Sequence, residues 1–251
     1  MTAIILAAGE GKRMGSTRAK VLHTLCGRPL VTFPLDAAVR AGARRVCVVT
    51  GYDEAAVRTT VLAWADGREV QVTFAHQPRR WGTGHAVECA LPEVPEGGPV
   101  WILSGDVPLV RASTLRGLRD ACHESSAGFA LASFEPEDPH GYGRVLRDAT
   151  GAVLGIREER DASPAERTIT ECNAGAYCIE AQLLHAGIPT LERKNAQGEK
   201  YLTDLVAWAA TRGRVLAQRI DPIEAEGVNT PEQLRRLEAA AVARGDVERP
   251  S

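Results

Sequence analysis

The most constraining feature of this sequence is the regular alternation of short apolar runs and amphipathic segments in its first half. The predicted strands are Ile4–Ala7, Arg45–Thr50, Val70–Phe74 and Val100–Leu103, and the predicted helices are Val31–Ala41, Asp53–Trp64, Gly84–Leu91 and Thr114–Glu124. The strands lack a clean polar alternation, so we expect both of their faces to be covered, as in a parallel sheet. The alternation therefore predicts a Rossmann-like, doubly wound α/β fold.

After about residue 127 the pattern changes to strands with fewer helices between them. The predicted strands are Gly128–Phe134, Arg144–Leu146, Val153–Arg157 and Ala174–Ile179, followed by a helix near Leu202–Ala210, a strand near Val215–Ile220 and a helix from Pro231 to about Arg244. Thr230 before Pro231 is typical of a helix start. We expect a mixed, mostly parallel sheet in a single domain over residues 1–245, in two halves of about 1–127 and 128–245. A frayed tail is expected at 246–251.

Composition limits the classes of function. The formal net charge is −2, which argues against nucleic-acid binding through a broad basic face. No apolar run approaches the roughly 18 residues that span a bilayer, so no membrane partner is expected. The six cysteines show no metal-ligand spacing and are expected to be reduced, mostly buried thiols. The chain enters a strand at once, without a signal peptide, so the expected compartment is the cytoplasm.

The loop after the first strand is rich in glycine and cations. Gly9, Gly11 and Gly15 allow close backbone approach to an anion, and Arg13 and Lys20 can neutralise a triphosphate. The loop matches neither the Walker A spacing nor the dinucleotide fingerprint. Glycine spacing alone leaves open an ordinary strand-to-helix loop.

Asp106 stands directly after the fourth predicted strand, in Leu103-Ser104-Gly105-Asp106-Val107-Pro108-Leu109. Ligands of α/β proteins bind at this carboxyl edge of the sheet. One carboxylate there can hold Mg²⁺ against a phosphate, since Mg²⁺ usually takes one or two protein oxygens together with substrate oxygens and water. The alternative is a turn aspartate without a ligand.

The segment Gln77–Ala86 carries a third group of polar residues. A Gly-Thr-Gly sequence at a helix start offers free N–H groups, and Gln77 can contact a base edge with its amide. Arg79 and Arg80 are interpreted as a solvated charge pair. The six histidines show no catalytic or metal pattern, so His85 and the others are interpreted as structural.

Taken together, these motifs resemble those of sugar-phosphate nucleotidyltransferases, and most closely the uridylyltransferase (pyrophosphorylase) domain of the bacterial bifunctional N-acetylglucosamine-1-phosphate uridylyltransferase/glucosamine-1-phosphate acetyltransferase. The matching segments are Leu6-Ala7-Ala8-Gly9 with Gly11, Arg13 and Met14, Lys20-Val21-Leu22-His23, Gln77 with Gly82-Thr83-Gly84-His85-Ala86, Gly105-Asp106-Val107-Pro108-Leu109, Gly141-Tyr142-Gly143-Arg144, Asn195-Ala196-Gln197-Gly198-Glu199, Tyr201-Leu202-Thr203-Asp204 and Glu226-Gly227-Val228-Asn229. The resemblance covers residues 3 to about 240, and the order and spacing of the motifs make it specific.

The resemblance implies the fold of a nucleotide-diphospho-sugar transferase and a Mg²⁺-dependent reaction of UTP with N-acetylglucosamine 1-phosphate that gives UDP-N-acetylglucosamine, a cell-wall precursor, and pyrophosphate. It assigns Leu6, Ala7, Ala8 and Gly9 to the nucleotide, Arg13 and Lys20 to its phosphates, and Gln77, Gly82 and Thr83 to uracil. It assigns Gly143, Glu158 and Asn173 to the sugar, and Ser104 and Gly105 to the substrates. Mg²⁺ is assigned to Asp106 and Asn229, and Asn229 is also near the substrates. The halves 1–127 and 128–245 would then bind nucleotide and sugar respectively.

A sugar phosphate is already ionised at neutral pH, so this reaction needs alignment and charge neutralisation rather than a general base. Other sugar 1-phosphates, such as glucose 1-phosphate, and other nucleotides remain open, as does a non-catalytic sensor of nucleotide sugars.

The sequence departs from the family pattern at Ala19, Trp81, Ser104 and Ala174. The last of these lies in the expected sugar pocket. Relatives continue into a left-handed β-helix that is not found here, so the chain is expected to be either a piece of a longer protein or a free-standing uridylyltransferase. Without the β-helix, no trimer and no acetyl transfer are expected, and the oligomeric state stays open.

Overall fold

Residues 1–245 are described by the computed structural model, and the tail predicted at 246–251 lies outside them. The strands are β1 (Thr2–Leu6), β2 (Thr24–Leu25), β3 (Arg28–Pro29), β4 (Arg45–Thr50), β5 (Gln71–His76), β6 (Pro99–Ser104), β7 (Phe129–Phe134), β8 (Arg144–Arg147), β9 (Val153–Arg157), β10 (Cys172–Glu180) and β11 (Leu216–Arg219). The α-helices are α1 (Thr32–Ala41), α2 (Glu54–Ala65), α3 (Thr83–Ala90), α4 (Ala112–Glu124), α5 (Ala181–Gly187), α6 (Asp204–Ala210), α7 (Pro222–Ala225) and α8 (Pro231–Ala243).

A nine-stranded sheet forms the centre, with the strand order β11-β7-β10-β6-β1-β4-β5 and with β8 and β9 attached beside β10. The pairs β1/β4, β1/β6, β4/β5 and β7/β11 are parallel. Strand β10 runs antiparallel to both β6 and β7. The predicted mixed, mostly parallel sheet is therefore confirmed.

Helices cover both faces of this sheet because successive residues of a strand point to opposite sides. In β1, Ala3 and Ile5 join a core with α1, α2 and α4, whereas Ile4 joins a second core with α3, α5 and α6. All three side chains are fully buried. This two-sided burial explains why the strands read as continuous apolar runs.

A third, smaller core lies beside the sheet and joins the two ends of the described chain. It contains Leu25 and Leu30 from the β2–β3 hairpin, Met14 from the N-terminal loop, and Val228 and Leu237 from the segment around α8. The hairpin turns at Cys26 and Gly27, which both have positive φ, the geometry of a tight two-residue hairpin turn. Helix α8 is thereby fixed against the loop that follows β1.

The predicted strands and long helices are present, with ends shifted by up to two residues. The sequence reading missed the β2–β3 hairpin and the short helices α5 and α7. Helix α5 begins directly where β10 ends, so no turn residue separates the strand pattern from the helix pattern. Helix α7 is a single turn capped by Asp221, whose side chain accepts a hydrogen bond from the Ile223 N–H. No helix in the described part of the chain is long and apolar enough to cross a membrane.

Replacement of Leu237 by Ala tests the third core. Leu237 is fully buried, and loss of a buried leucine side chain costs about 2–5 kcal/mol. We expect the free energy of unfolding, measured by urea titration, to fall by about that amount. The exposed Arg235→Ala on the same helix is the control, with an expected change below about 0.5 kcal/mol. Equal stabilities for the two variants would contradict this packing of α8.

Candidate active site

A cavity of about 370 Å³ opens at the carboxyl ends of the parallel strands β1, β5 and β6. Its lining residues are Leu6, Ala8, Gly9, Lys20, Val21, Gln77, Arg80, Gly82, Thr83, Ala86, Ser104, Asp106 and Glu199. Nine of these carry predicted roles, and they come from three segments that are distant in the sequence. The parallel strands bring those segments together because their ends meet at one edge of the sheet.

Lys20 and Asp106 line one end of the cavity, and Arg13 and Asn229 lie next to them outside the lining. The Lys20 ammonium forms an ion pair with Asp106 Oδ2 and donates to Asn229 Oδ1 at 3.1 Å. The Arg13 guanidinium donates to the same Asn229 oxygen at 2.9 Å. The four side chains therefore form one cluster, which we call the cationic cluster: Arg13, Lys20, Asp106 and Asn229. Its positive groups are placed to meet an anion.

Backbone contacts hold this cluster in place. The Gly105 N–H donates to the Leu6 carbonyl at 2.9 Å, which ties the Asp106 loop to the end of β1. The Val228 N–H donates to the Asp106 carbonyl, also at 2.9 Å, which brings the start of α8 to the same point. Asn229 is fixed in turn, since its N–H donates to Gln233 Oε1 at 2.8 Å.

Close packing also explains one glycine of the N-terminal loop. Gly11 has φ of +73°, and a Cβ there would lie 2.6 Å from Lys20 Cβ. Only glycine allows the loop to pass this close to the lysine stem. The loop is therefore shaped to keep Lys20 at the cavity wall.

The other end of the cavity is built from the segment before α3. Gln77 is 6% exposed, and its N–H donates to the Thr50 carbonyl at 2.8 Å. The Gly84 N–H donates to the Lys200 carbonyl at 2.8 Å. Gly82 has φ of +100°, and a Cβ there would lie 2.5 Å from the same carbonyl, so glycine is required at this contact. The segment around Lys200 therefore closes the cavity wall, and Glu199 joins its lining.

Three predicted sugar-binding residues form a neighbouring group outside the cavity lining. The Asn173 N–H donates to the Gly143 carbonyl at 2.8 Å, and Asn173 Nδ2 donates to the Tyr177 hydroxyl at 2.7 Å. A Cβ on Gly143 would lie 3.6 Å from Glu158 Oε2. Ser104, at the cavity wall, is next to this group through Gly175, where a Cβ would lie 3.5 Å from Ser104 Oγ. The two groups are thus contiguous across β6 and β10.

Glu158 is a carboxyl group with a raised pKa, as is its neighbour Asp204. Burial is the largest cause, and the nearby negative charges of Asp204, Asp161 and Glu199 raise the pKa further. A hydrogen bond from Thr203 Oγ1 at 2.7 Å acts in the opposite direction. Glu158 is therefore a partly desolvated carboxyl group that is suited to accept hydrogen bonds from a neutral ligand.

Two further residues that the resemblance assigns to the substrates do not line the cavity. Ala7 lies in the core beneath the cavity, with its N–H bonded to the Val49 carbonyl at 2.9 Å, and Gly105 uses its N–H on β1, so neither lines the cavity. Arg79 and Arg80 are both exposed, in agreement with their interpretation as solvated charges, but Arg80 also lines the cavity and pairs with Glu10. Arg79 lies over the Trp81 ring instead.

Sequence reasoning missed Val21, Ala86 and Glu199 as lining residues, although each belongs to a recognised motif. Val21 and Ala86 are apolar and carry no chemical signal. Glu199 enters the wall only because the segment around Lys200 packs against Trp81–Gly84, a contact that no local pattern reveals.

Glu158→Gln tests the cost of the buried carboxyl group. A raised folded-state pKa means that the stabilising contribution is fully present below the ordinary carboxyl pKa and is lost as pH rises through the raised value. We therefore expect the Gln variant to have a higher free energy of unfolding than the wild type at neutral pH, with the difference shrinking on acidification. Urea titrations at several pH values measure this. The exposed Glu192→Gln is the control, and a less stable Glu158→Gln protein at neutral pH would refute the expectation.

Comparison with known proteins gives a consistent result. Residues 3–169 match the family model described as the MobA-like NTP transferase domain. The chain is 45% identical over 246 residues to the bifunctional protein GlmU of Anaeromyxobacter dehalogenans strain 2CP-C, covering 97% of this chain and 50% of that protein. It is 47% identical over 239 residues to GlmU of Chromohalobacter salexigens, covering 94% and 51%, and 46% identical over 252 residues to GlmU of Pelobacter propionicus, covering 99% and 53%. The chain spans about half the length of these curated relatives.

Proposed function

Because this chain belongs to the family of MobA-like NTP transferase domains, we propose that it transfers UMP from UTP to N-acetylglucosamine 1-phosphate, giving UDP-N-acetylglucosamine and pyrophosphate. The observation that carries this proposal is the cationic cluster at one end of a cavity whose other end presents the Gln77 amide. A triphosphate needs positive charges, whereas a base needs directional hydrogen bonds. The two ends of this cavity supply these two kinds of contact.

In the proposed reaction, a phosphate oxygen of the sugar phosphate attacks the α-phosphorus of UTP, and the bond to pyrophosphate breaks. The nucleophile is already ionised, so no side chain has to remove a proton. Arg13 and Lys20 offset the repulsion between two polyanions and the charge that develops on pyrophosphate. In the free protein Lys20 is paired with Asp106, so its ammonium group is already held at the cavity wall.

The donor set fits a magnesium ion. Asp106 Oδ2 and Asn229 Oδ1 both contact the Lys20 ammonium, so a carboxylate and an amide oxygen converge on one point. Within the described residues, no group of three or more His, Cys, Asp or Glu side chains is placed to hold a metal. Two protein oxygens completed by phosphate oxygens and water are the usual ligands of Mg²⁺. When bound, the ion would supply charge neutralisation at the phosphates.

At the base end, Gln77 offers its side-chain amide, and Gly82 and Thr83 lie at the start of α3, where the first N–H groups lack helical partners. These groups can accept and donate on the edge of a uracil ring. The Thr83 hydroxyl oxygen is held by the Leu202 N–H at 3.0 Å, which fixes its position in the wall.

We assign the sugar to the group formed by Gly143, Glu158 and Asn173. The Glu158 carboxylate can accept from sugar hydroxyls, and the Asn173 amide can contact an acetamido group. Residues 1–127 then act as the nucleotide-binding half and residues 128–245 as the sugar-binding half. The small side chain of Ala174 follows Asn173 on β10 and belongs to the same region.

We place the reaction in the cytoplasm, where nucleoside triphosphates are made. All six cysteines are free thiols in the structure, which fits a reducing compartment.

Pyrophosphate release from each of the four common NTPs against a panel of sugar 1-phosphates, with and without Mg²⁺, tests the proposal. We expect the highest kcat/KM with UTP and N-acetylglucosamine 1-phosphate, and almost no turnover without the ion. A preference for glucose 1-phosphate or for another NTP would assign a different nucleotidyltransferase specificity. Binding of UDP-N-acetylglucosamine without any turnover would instead identify a sensor.

Asp106→Ala tests the proposed metal ligand. Loss of the carboxylate removes one of the two convergent oxygens, and we expect kcat to fall by about 10²-fold or more. Asp120→Asn, an exposed aspartate on α4, is the control and should keep wild-type turnover. Near-normal kcat in a folded Asp106→Ala protein would remove Asp106 from the reaction.

A further inference from the structure

We propose that His85 is a positioning residue that fixes the side-chain amide of Gln77 and so makes the base end of the cavity select a base with an N–H donor between two carbonyl groups. This inference rests on the proposed function, because it concerns the choice of nucleotide. It assigns a role to a side chain that shows no catalytic pattern in the sequence.

Two acceptors surround the amide nitrogen of Gln77. Gln77 Nε2 lies 3.0 Å from the Gly82 carbonyl oxygen and 3.2 Å from His85 Nδ1. A carbonyl oxygen only accepts hydrogen bonds, so the nitrogen end of the amide must face Gly82. The same nitrogen can only donate to His85 Nδ1, which therefore carries a lone pair.

The other ring nitrogen of His85 agrees with this tautomer. With Nδ1 as an acceptor, the neutral ring carries its proton on Nε2. His85 Nε2 lies 3.7 Å from Cys89 Sγ, a weak acceptor one helical turn further along α3. Both nitrogens of the ring thus have partners that suit one protonation state.

The side-chain amide of Gln77 therefore has one atom left to contact a ligand. Both N–H groups of Gln77 Nε2 are used inside the protein, so only Oε1 is left to contact a ligand. An acceptor in a nearly buried position selects a partner with an N–H group, because any other partner leaves polar groups unpaired. Uracil presents N3–H at the centre of this edge. Cytosine presents a lone pair at N3, and its donor is the N4 amino group to one side, so cytosine can pair with the same fixed acceptor only if the base shifts. The fixed amide therefore favours UTP over CTP.

The His85 ring is itself held by packing. Its centroid lies 5.1 Å from the Trp81 ring, at an interplanar angle of 53°. Two guanidinium groups lie over the Trp81 ring, with the Arg79 group 5.0 Å and the Arg193 group 4.6 Å from its centroid. Arg193 also donates to the Gly198 carbonyl at 2.7 Å, so this stack links the imidazole to the loop that closes the cavity.

A purely structural role for His85 makes a different prediction. If the ring only fills space beside Trp81, its replacement affects UTP and CTP equally. If Nδ1 orients the amide, its replacement leaves the Gly82 carbonyl to hold the nitrogen end alone, so the flipped amide becomes more populated. The discrimination between the two nucleotides then falls, and kcat/KM for CTP falls less than that for UTP or rises. The ratio of the two kcat/KM values therefore separates the roles.

The experiment compares three variants with the wild type. His85→Phe keeps a ring against Trp81 but removes the acceptor, and we expect the UTP:CTP ratio of kcat/KM to fall about 10-fold or more. His85→Gln supplies a carbonyl oxygen that can replace Nδ1, and should keep a ratio clearly above that of the Phe variant. Cys89→Ala alters only the Nε2 side of the ring and should leave the ratio unchanged.

Three results would overturn the inference: an unchanged ratio in His85→Phe, a ratio in His85→Gln no higher than in the Phe variant, or a wild type that does not prefer UTP over CTP. If His85→Phe does not fold, ¹⁵N–¹H correlation spectra of the wild-type imidazole rings test the same point, with the His85 signals assigned by their loss in His85→Gln. The inference requires the proton on Nε2 at neutral pH. A proton on Nδ1 overturns it.

Failure of the inference and failure of the proposed function are distinguishable. Absence of pyrophosphate release from every NTP by the wild type refutes the function. Wild-type turnover of UTP with an unaltered ratio in His85→Phe leaves the function in place and removes only the positioning role.

Discussion

The contact of the Lys20 ammonium with Asp106 and Asn229 is the interaction on which the candidate site depends. It joins the loop after β1, the loop after β6 and the start of α8, which are separated by up to 209 residues in the sequence. The three groups are partly shielded from water, so their mutual attraction is stronger than that of an exposed pair. Positive charge is thus held at the cavity wall, where the proposed function places the polyphosphate.

The two ends of the cavity solve different physical problems. Charge neutralisation at the phosphate end acts over several ångströms and does not distinguish one nucleoside triphosphate from another. In the proposed function, discrimination comes from short, directional hydrogen bonds at the base end, where we infer that the orientation of the Gln77 amide decides which base edge is accepted. Because Gln77 is buried, a base that leaves its amide oxygen unpaired binds less favourably. At the proposed sugar end, the raised pKa of Glu158 indicates that the ionised carboxylate lowers the free energy of unfolding.

The residues that support the site are as informative as those that line it. Leu237 and its neighbours hold α8 against the β2–β3 hairpin, and that packing places Asn229 beside Arg13. Gly82 allows the segment around Lys200 to approach within hydrogen-bond distance and complete the wall.

The family resemblance read from the motifs is confirmed by the match to the MobA-like NTP transferase domain over residues 3–169 and by relatives with 45–47% identity.

The sequence by itself determined the elements and the kind of sheet, because periodicity is a local property: Arg45–Thr50 and Val153–Arg157 were predicted to the residue. It also predicted Lys20, Asp106, Gln77 and Gly82 as ligand-binding residues in the segments that follow strands, and all four line the cavity. Only the tertiary structure decided that Arg13 and Lys20 share one oxygen of Asn229, that Arg80 and Glu199 belong to the cavity wall, and that His85 contacts the Gln77 amide. These facts depend on which distant segments pack together and on the direction of individual side chains. Neither of these produces a local pattern in the sequence.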